Sequence, residues 1–113
     1  MEEATAKTKF VRISPTKVRM YATLIRGMTV ENALIQLTYA HAKGARLLKK
    51  TLVSAIANAE TRFDGLQRRD LAVKEVRIDQ GPVMKRAKSK SRGGRAPILK
   101  RMSHFTIVVG KPL

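Results

Sequence analysis

The last third of the chain contains a basic arm that has almost no apolar residues of its own to bury. Residues 80–113 contain nine Lys and Arg residues and neither Asp nor Glu, and eight of the nine lie within residues 85–101. Gly81-Pro82 opens this segment, and Gly93-Gly94 lies near its middle. Isolated, such a segment should be loosely ordered and become rigid against a partner. The partner has to be a dense polyanion, and the commonest one in a cell is the phosphate backbone of a nucleic acid.

The length and charge of the chain limit its organisation. With 113 residues, of which 43% are hydrophobic, there is room for one small domain with one core. We expect residues 1–6 to be a flexible tail, residues 7–80 and 103–113 to form a globular body, and residues 81–102 to form an extended arm. The formal net charge of +16 again requires an anionic partner, because like charges repel one another in the compact state.

The sequence shows no targeting or membrane-spanning segment. No apolar run approaches the roughly 20 residues that would span a bilayer. The first residues, M-E-E-A-T-A-K, are acidic and polar where a signal peptide would be basic and then apolar. The absence of cysteine excludes disulfides and thiolate metal sites and is compatible with a reducing compartment. We therefore predict a cytosolic protein.

Three segments have the apolar spacing of amphipathic helices. Ser14-Pro15 should start the first helix, with Ser14 as its cap, and Gly27 should end it. Thr29 should cap the second. The third should run from about residue 41 to about residue 60 and organise the core. The predicted core positions are Val18, Tyr21, Ala22 and Ile25; then Val30, Ala33, Leu34 and Leu37; then Ala45, Leu48, Leu52, Ala55, Ile56 and Ala59.

Alternating patterns predict short strands at residues 7–13, 71–79 and 105–109. The basic arm lies between the last two strands and is nearly a mirror image of itself. A hairpin folded about Gly93 would place Lys85-Arg86 opposite Lys100-Arg101 and Met84 opposite Met102. At roughly 3.3 Å per residue, its arms of about ten residues would extend about 30 Å from the body.

A series of short motifs covers most of the chain in order. They are Ser14-Pro15 with Lys17, Ile25-Arg26-Gly27, the run S-A-I-A-N-A-E at residues 54–60, Gly81-Pro82, Lys85-Arg86, Gly93, and Lys100-Arg101 with Ser103-His104. In this succession and spacing the chain resembles the L-twenty-two family of large-subunit ribosomal proteins. The resemblance implies an α+β fold of three helices packed on a small antiparallel sheet, with a long protruding basic β-hairpin.

The resemblance also implies a function. A member of this family would be a structural constituent of the large ribosomal subunit that binds 23S ribosomal RNA and assists early subunit assembly. Its body would lie near the opening of the peptide exit tunnel, and its hairpin would line the tunnel wall. The implied partners are 23S ribosomal RNA, other large-subunit ribosomal proteins and the nascent polypeptide, with no membrane and no cofactor. A bacterial ribosome and the ribosome of a bacterium-derived organelle both remain open.

The candidate RNA-binding residues are mostly cations, which would contact phosphates and fix position without reading sequence. His104 is a candidate either for packing or for stacking on RNA at the root of the arm. Met84 and Met102 should pack there against each other or against bases. On the helices, Lys43, Arg46, Lys49 and Lys50 either contact phosphates or form a solubilising surface. The RNA-binding set is Lys9, Arg12, Lys17, Arg19, Arg26, Lys85, Arg86, Lys88, Lys90, Arg92, Arg95, Lys100, Arg101 and His104, and the predicted hairpin tip at the tunnel is Ser91, Arg92, Gly93, Gly94 and Arg95.

Catalysis is not predicted, because the residues that it needs are missing. Acidic residues are scattered singly apart from Glu2-Glu3, and no phosphate-binding glycine loop or nucleophile motif is present. His41 and His104 lack the cysteines or spaced carboxylates that would complete a metal site. The alternatives left open are a nuclease or RNA-modifying enzyme and, in preference to it, a DNA-packaging or other nonribosomal nucleic-acid protein. For the arm itself, the alternative is a solvated tail or localisation signal.

Overall fold

The computed structural model describes residues 3–63, 70–82, 84–89 and 95–111. Its fold is α+β, with three helices packed on a three-stranded antiparallel sheet and a separate two-stranded ribbon, which confirms the fold class expected from the sequence. The elements are β1 (Glu3–Val11), α1 (Pro15–Ile25), α2 (Val30–Tyr39), α3 (Lys43–Arg62), β2 (Ala72–Gln80), β3 (Met84–Ser89), β4 (Arg95–Lys100) and β5 (Ser103–Gly110).

The core lies between the helices and one face of the larger sheet. The strand order is β1-β5-β2, so β5 is central and pairs antiparallel with both neighbours. Phe105, Ile107 and Val109 of β5 are fully buried. The predicted helix positions are buried as well, except that Tyr21 and Leu34 are only partly buried against the cluster. A fully buried side chain of this size stabilises the fold by about 1.5–3 kcal/mol, so the stripe of α3 is a large part of the stability.

The helix ends follow local chemistry, with one exception. Thr29 caps α2 as predicted, because its hydroxyl accepts the N–H of Asn32 at 3.4 Å. Gly27 follows α1 with φ of +80°, a conformation that favours glycine. The prediction that the Ser14 side chain caps α1 is wrong: Ser14 occupies the cap position, but its backbone carbonyl accepts the N–H of Lys17 at 3.1 Å. That bond occupies the amide group that a serine hydroxyl would have satisfied.

The third helix is confirmed, but it lies two residues later than predicted. It begins at Lys43, because His41 has φ of +51° and cannot belong to a right-handed helix. It ends at Arg62, and the N–H of Phe63 closes the last turn on Ala59 O at 3.0 Å. The shift leaves the buried stripe unchanged.

The first strand begins earlier than predicted. Residues 3–6 belong to β1, so the interpretation of residues 1–6 as a flexible tail is wrong for these four. Ala4 and Ala6 pair with Val109 and Ile107 of β5 and are buried. The Asn58 side chain of α3 also donates to Thr5 O at 3.0 Å. Alanine has a low preference for strands, and here pairing with a buried neighbour overrides that preference.

The arm is an antiparallel ribbon of β3 and β4, and the predicted pairing within it is wrong by two residues. The observed register separates like charges, whose direct pairing would be destabilising. Within the described residues the strands have six residues each, and the turn that joins them lies outside those residues. The molecule is elongated, with principal extents of 65 × 24 × 19 Å. The pairs are Met84 with Lys100, Lys85 with Leu99, Arg86 with Ile98, Ala87 with Pro97, Lys88 with Ala96, and Ser89 with Arg95.

Candidate nucleic-acid interface

The arm places several predicted contact residues on one narrow ribbon. β3 carries Lys85, Arg86 and Lys88, and β4 begins at Arg95 and ends at Lys100. Because both strands carry cations and neither carries an acid, the ribbon is positive along its whole length. The remaining predictions for the arm, Lys90, Ser91, Arg92, Gly93 and Gly94, lie outside the described residues. The contact expected between Met84 and Met102 stays a prediction.

The root of the arm is held to the body by close backbone contacts. The N–H of Gly81 donates to Met102 O at 2.8 Å. A Cβ atom at Gly81 would lie 3.2 Å from both Cβ and O of Met102 and 3.3 Å from Cε1 of His104. A larger residue at position 81 would therefore push the segment around Gly81 away from Met102 and His104, at the point where the arm leaves the body. The buried hydroxyl of Ser103 donates to Ile13 O at 2.7 Å and ties the start of β5 to the segment before α1.

That connection brings together cations that are far apart in sequence. The Lys43 ammonium group donates to Arg12 O at 3.4 Å. The N-terminus of α3 also packs tightly there, since a Cβ at Gly44 would lie 3.3 Å from side-chain atoms of Ile13 and Val18. These contacts bring to the base of the arm the segments that carry several exposed cations, and we refer to these cations as the root patch. The root patch consists of Lys9, Arg12, Lys17, Lys43 and Arg101.

Arg19 and Arg26 have structural partners that sequence reasoning missed. The guanidinium group of Arg26 donates to Val76 O from Nε at 3.1 Å and from Nη2 at 2.6 Å. Arg19 Nη2 donates to Ile78 O at 3.2 Å. Both acceptors belong to β2, which among the described strands is an edge strand of the larger sheet, so its outer carbonyls face no other described strand. The two arginines cap that edge, and a contact of their remaining N–H groups with RNA stays a prediction.

The outer face of α3 forms a second basic surface. Arg46, Lys49, Lys50 and Val53 follow the spacing of one helix face and line an open groove of about 410 Å³. Val53 is 44% exposed and gives the groove an apolar floor. This is the arrangement expected if the aliphatic stems of lysine and arginine lie along the helix while their charged ends face solvent. The prediction that these residues contact phosphates remains open.

His104 and Phe10 form a contact at the base of the arm. Their rings are perpendicular, with centroids 4.9 Å apart. The N–H of Phe10 donates to His104 Nδ1 at 3.0 Å. His104 is partly buried, whereas Phe10 is 58% exposed. The packing role predicted for His104 is thus present, and the more exposed ring belongs to Phe10, which sequence reasoning assigned only to a strand. An isolated Phe among cations in K-F-V-R was the signal that could have identified it.

The described part of the chain has neither a membrane-spanning helix nor a metal-binding cluster. None of the helices there is long and apolar enough to cross a membrane. Within residues 3–63, 70–82, 84–89 and 95–111, His, Asp and Glu side chains do not form a group that could hold a metal ion.

Comparison with known proteins decides the family. The model of the family described as "Ribosomal protein L22p/L17e" matches residues 6–110. The chain belongs to the L22p/L17e family. This confirms the resemblance inferred from the sequence motifs, and the match includes the body, the root patch and both strands of the arm.

Individual members of the L22p/L17e family are similar over nearly their whole length. A protein of Protochlamydia amoebophila named "Large ribosomal subunit protein uL22" is 59% identical over 109 residues, which cover 96% of this chain and 97% of the relative. Proteins of the same name from Chlamydia abortus and Chlamydia trachomatis serovar L2 are 53% and 52% identical over 106 residues, 94% of this chain and 95% of each relative. The similarity therefore extends over nearly the full length of each of these relatives.

Proposed function

We propose that this chain is a structural constituent of the large ribosomal subunit of a bacterial cytoplasm, where it binds 23S ribosomal RNA and other large-subunit proteins. Membership of the L22p/L17e family carries this proposal, together with relatives whose names place them in the large subunit. The formal charge of +16 agrees with it, because a folded RNA is the polyanion such a chain needs.

The chemistry of the interface is neutralisation of phosphates. Each Lys or Arg that contacts a phosphate releases counterions, so binding should weaken steeply as salt rises. Such contacts fix position and orientation and carry no sequence information themselves. The root patch and the ribbon form two adjoining positive surfaces, which suits a site where several RNA segments converge. The protein would stabilise the packing of those segments against their mutual repulsion.

The arm supports the finer part of the proposal. A ribbon without a core of its own, attached at a tightly packed root, is suited to enter a cleft in RNA that a compact body cannot reach. We place the body near the opening of the peptide exit tunnel and the hairpin along the tunnel wall, where the tip would face the nascent polypeptide. Binding before the RNA closes around the arm makes the protein an early component of assembly.

Catalysis has no part in this function. The relatives named above are ribosomal proteins, and their names state no enzymatic activity. The interface offers hydrogen-bond donors and positive charge and acts by holding RNA segments together.

Competition at one fixed salt concentration tests the proposal. The full chain is bound to labelled 23S ribosomal RNA and challenged with unlabelled 23S ribosomal RNA or with duplex DNA of equal phosphate content. We expect the ribosomal RNA to compete far better, because its folded shape positions phosphates for both the body and the arm. Equal competition would reduce the interaction to general polyanion binding and would contradict the proposal. Density for the chain in purified large subunits would then locate the arm.

A further inference from the structure

Phe10 has an unusual backbone for an aromatic residue. Its φ is +59°, in the left-handed region that few residues other than glycine adopt. It lies in an irregularity of β1, where the register with β5 shifts between Thr8 and Val11. On one side of the irregularity the Thr8 hydroxyl lies 2.8 Å from that of the buried Thr51, and on the other side Val11 is itself buried. The bulge therefore turns Phe10 out of the core on the opposite side.

The surroundings hold this conformation in place. The N–H of Phe10, which the irregularity removes from the strand ladder, donates to His104 Nδ1 at 3.0 Å. The perpendicular contact of the rings fixes the direction of the Phe10 side chain. In an edge-to-face contact His104 meets either the edge of the Phe10 ring or one of its two faces. At least one face of the Phe10 ring is therefore left uncovered by His104. A strained residue that is held so specifically and still 58% exposed points to a binding role.

The charges around Phe10 favour a nucleotide as its partner. Lys9 and Arg12 of the root patch are within two residues of Phe10 in sequence and are exposed. On the other side of β5, Asp79 of β2 is the register partner of His104, so the nearest strand there carries an acidic residue. A ligand with a flat apolar part and a phosphate would therefore place its ring on Phe10 and its phosphate toward Lys9 and Arg12, away from Asp79.

We propose that Phe10 is a stacking platform for one unpaired base of the ribosomal RNA, with His104 as its positioning residue and Lys9 and Arg12 as the phosphate contacts. Every base has a π-face, so the platform would accept an unpaired nucleotide without strict preference for its identity. This inference rests on the proposed function, which supplies the RNA. It adds a contact with a base to an interface otherwise made of phosphate contacts, and it would fix the root of the arm on the RNA surface.

The absence of tryptophan from the chain allows a direct test. The variant Phe10→Trp has one fluorophore at the proposed platform, and Tyr39→Trp is the matched control at a residue 72% exposed on α2. Each variant is titrated at low salt with unstructured poly(U) and with inorganic polyphosphate, which has the charge but no bases. We expect poly(U) to quench Phe10→Trp, polyphosphate to leave it bright at equal occupancy, and neither to quench Tyr39→Trp. Binding of poly(U) without quenching at Phe10→Trp would overturn the inference.

A second variant covers the case in which tryptophan disturbs the bulge. Phe10→Leu keeps an apolar side chain without a ring, and its fold is checked by its melting temperature. We expect it to bind poly(U) about tenfold more weakly than wild type while binding polyphosphate equally. Equal affinity for poly(U) would refute the platform and leave the proposed function standing. The proposed function fails by a different measurement, namely equal competition of 23S ribosomal RNA and duplex DNA for the wild-type chain.

Discussion

The body and the arm differ in what stabilises them. The body has a continuous cluster of buried residues from all three helices and from β1, β2 and β5. In the arm, β3 pairs with β4 in a sheet of its own, and five of the twelve residues in the two strands are Lys or Arg. An isolated two-stranded ribbon is marginally stable in water, so the body can fold alone and the arm needs its partner. The chain thus separates the segment that determines the fold from the segment to which we assign most of the proposed binding.

The largest expected effect on stability comes from a charge introduced into the core of the body. Ile56 of α3 is fully buried, and Ile56→Asp would bury an unpaired carboxylate. We expect a loss of about 3–5 kcal/mol, which is enough to unfold much of a small domain. Thermal unfolding followed by circular dichroism measures it. Val53→Asp, at a half-exposed position three residues earlier on the same helix, is the control and should melt close to wild type. Similar melting of both variants would show that α3 does not organise the fold.

Removing charge from the arm should affect binding and leave the fold intact. In the variant with Lys85, Arg86, Lys100 and Arg101 all replaced by Gln, each lost phosphate contact should lower the slope of log affinity against log salt by somewhat under one, or by about three in total. Filter binding to 23S ribosomal RNA at several salt concentrations measures the slope. The melting temperature should stay near that of wild type. An unchanged slope would mean that the arm does not contact phosphates.

A substitution at Arg26 tests whether some cations of the body stabilise the fold, in addition to any contact with RNA. Arg26→Met keeps the aliphatic stem but removes the hydrogen bonds to Val76 O, and we expect a loss of about 1–2 kcal/mol in the free energy of unfolding. Lys17→Met, an exposed position on α1, is the matched control and should change stability by less than about 0.5 kcal/mol. Urea unfolding compares the two variants. If they are equally stable, the contacts between Arg26 and the edge of β2 contribute little.

The smallest effect on stability is expected when the tip of the arm is removed. Arg86 pairs with Ile98, so replacing residues 87–97 with Asn-Gly would close the ribbon with a two-residue turn in its existing register. The replaced stretch includes Pro97, which has no N–H to close such a turn, whereas Ile98 has one. The body should melt as before, because its core residues lie elsewhere. The shortened chain should still enter large subunits, whose RNA would become more accessible to chemical probes deep in the tunnel. Changes confined to the outer surface of the subunit would contradict the proposed path of the arm.

Local sequence was sufficient to predict which faces of the helices are buried and to suggest the family. The spacing of apolar residues on a 3.6-residue period determines which face of a helix is buried, and this held for Val18, Leu37 and Ile56 without any knowledge of what they pack against. Thr29 and Gly27 act on the turn next to them, so their roles could also be predicted. The positive charge of residues 85–101 indicated the kind of partner, because charge needs no fold to be counted.

The tertiary structure alone decided the features that depend on distant residues. Whether residues 3–6 form a strand depends on the free edge of β5, about one hundred residues away in the chain. The hydrogen bonds of Arg26 depend on β2, which places the carbonyl oxygen of Val76 within reach from 50 residues away in the chain. The register of the arm and the outward position of Phe10 depend on pairings between strands, which local preference does not specify. Local interactions are set by neighbours in the sequence, whereas pairings and edges exist only after the chain has folded, and that difference separates what the sequence alone could determine from what required the tertiary structure.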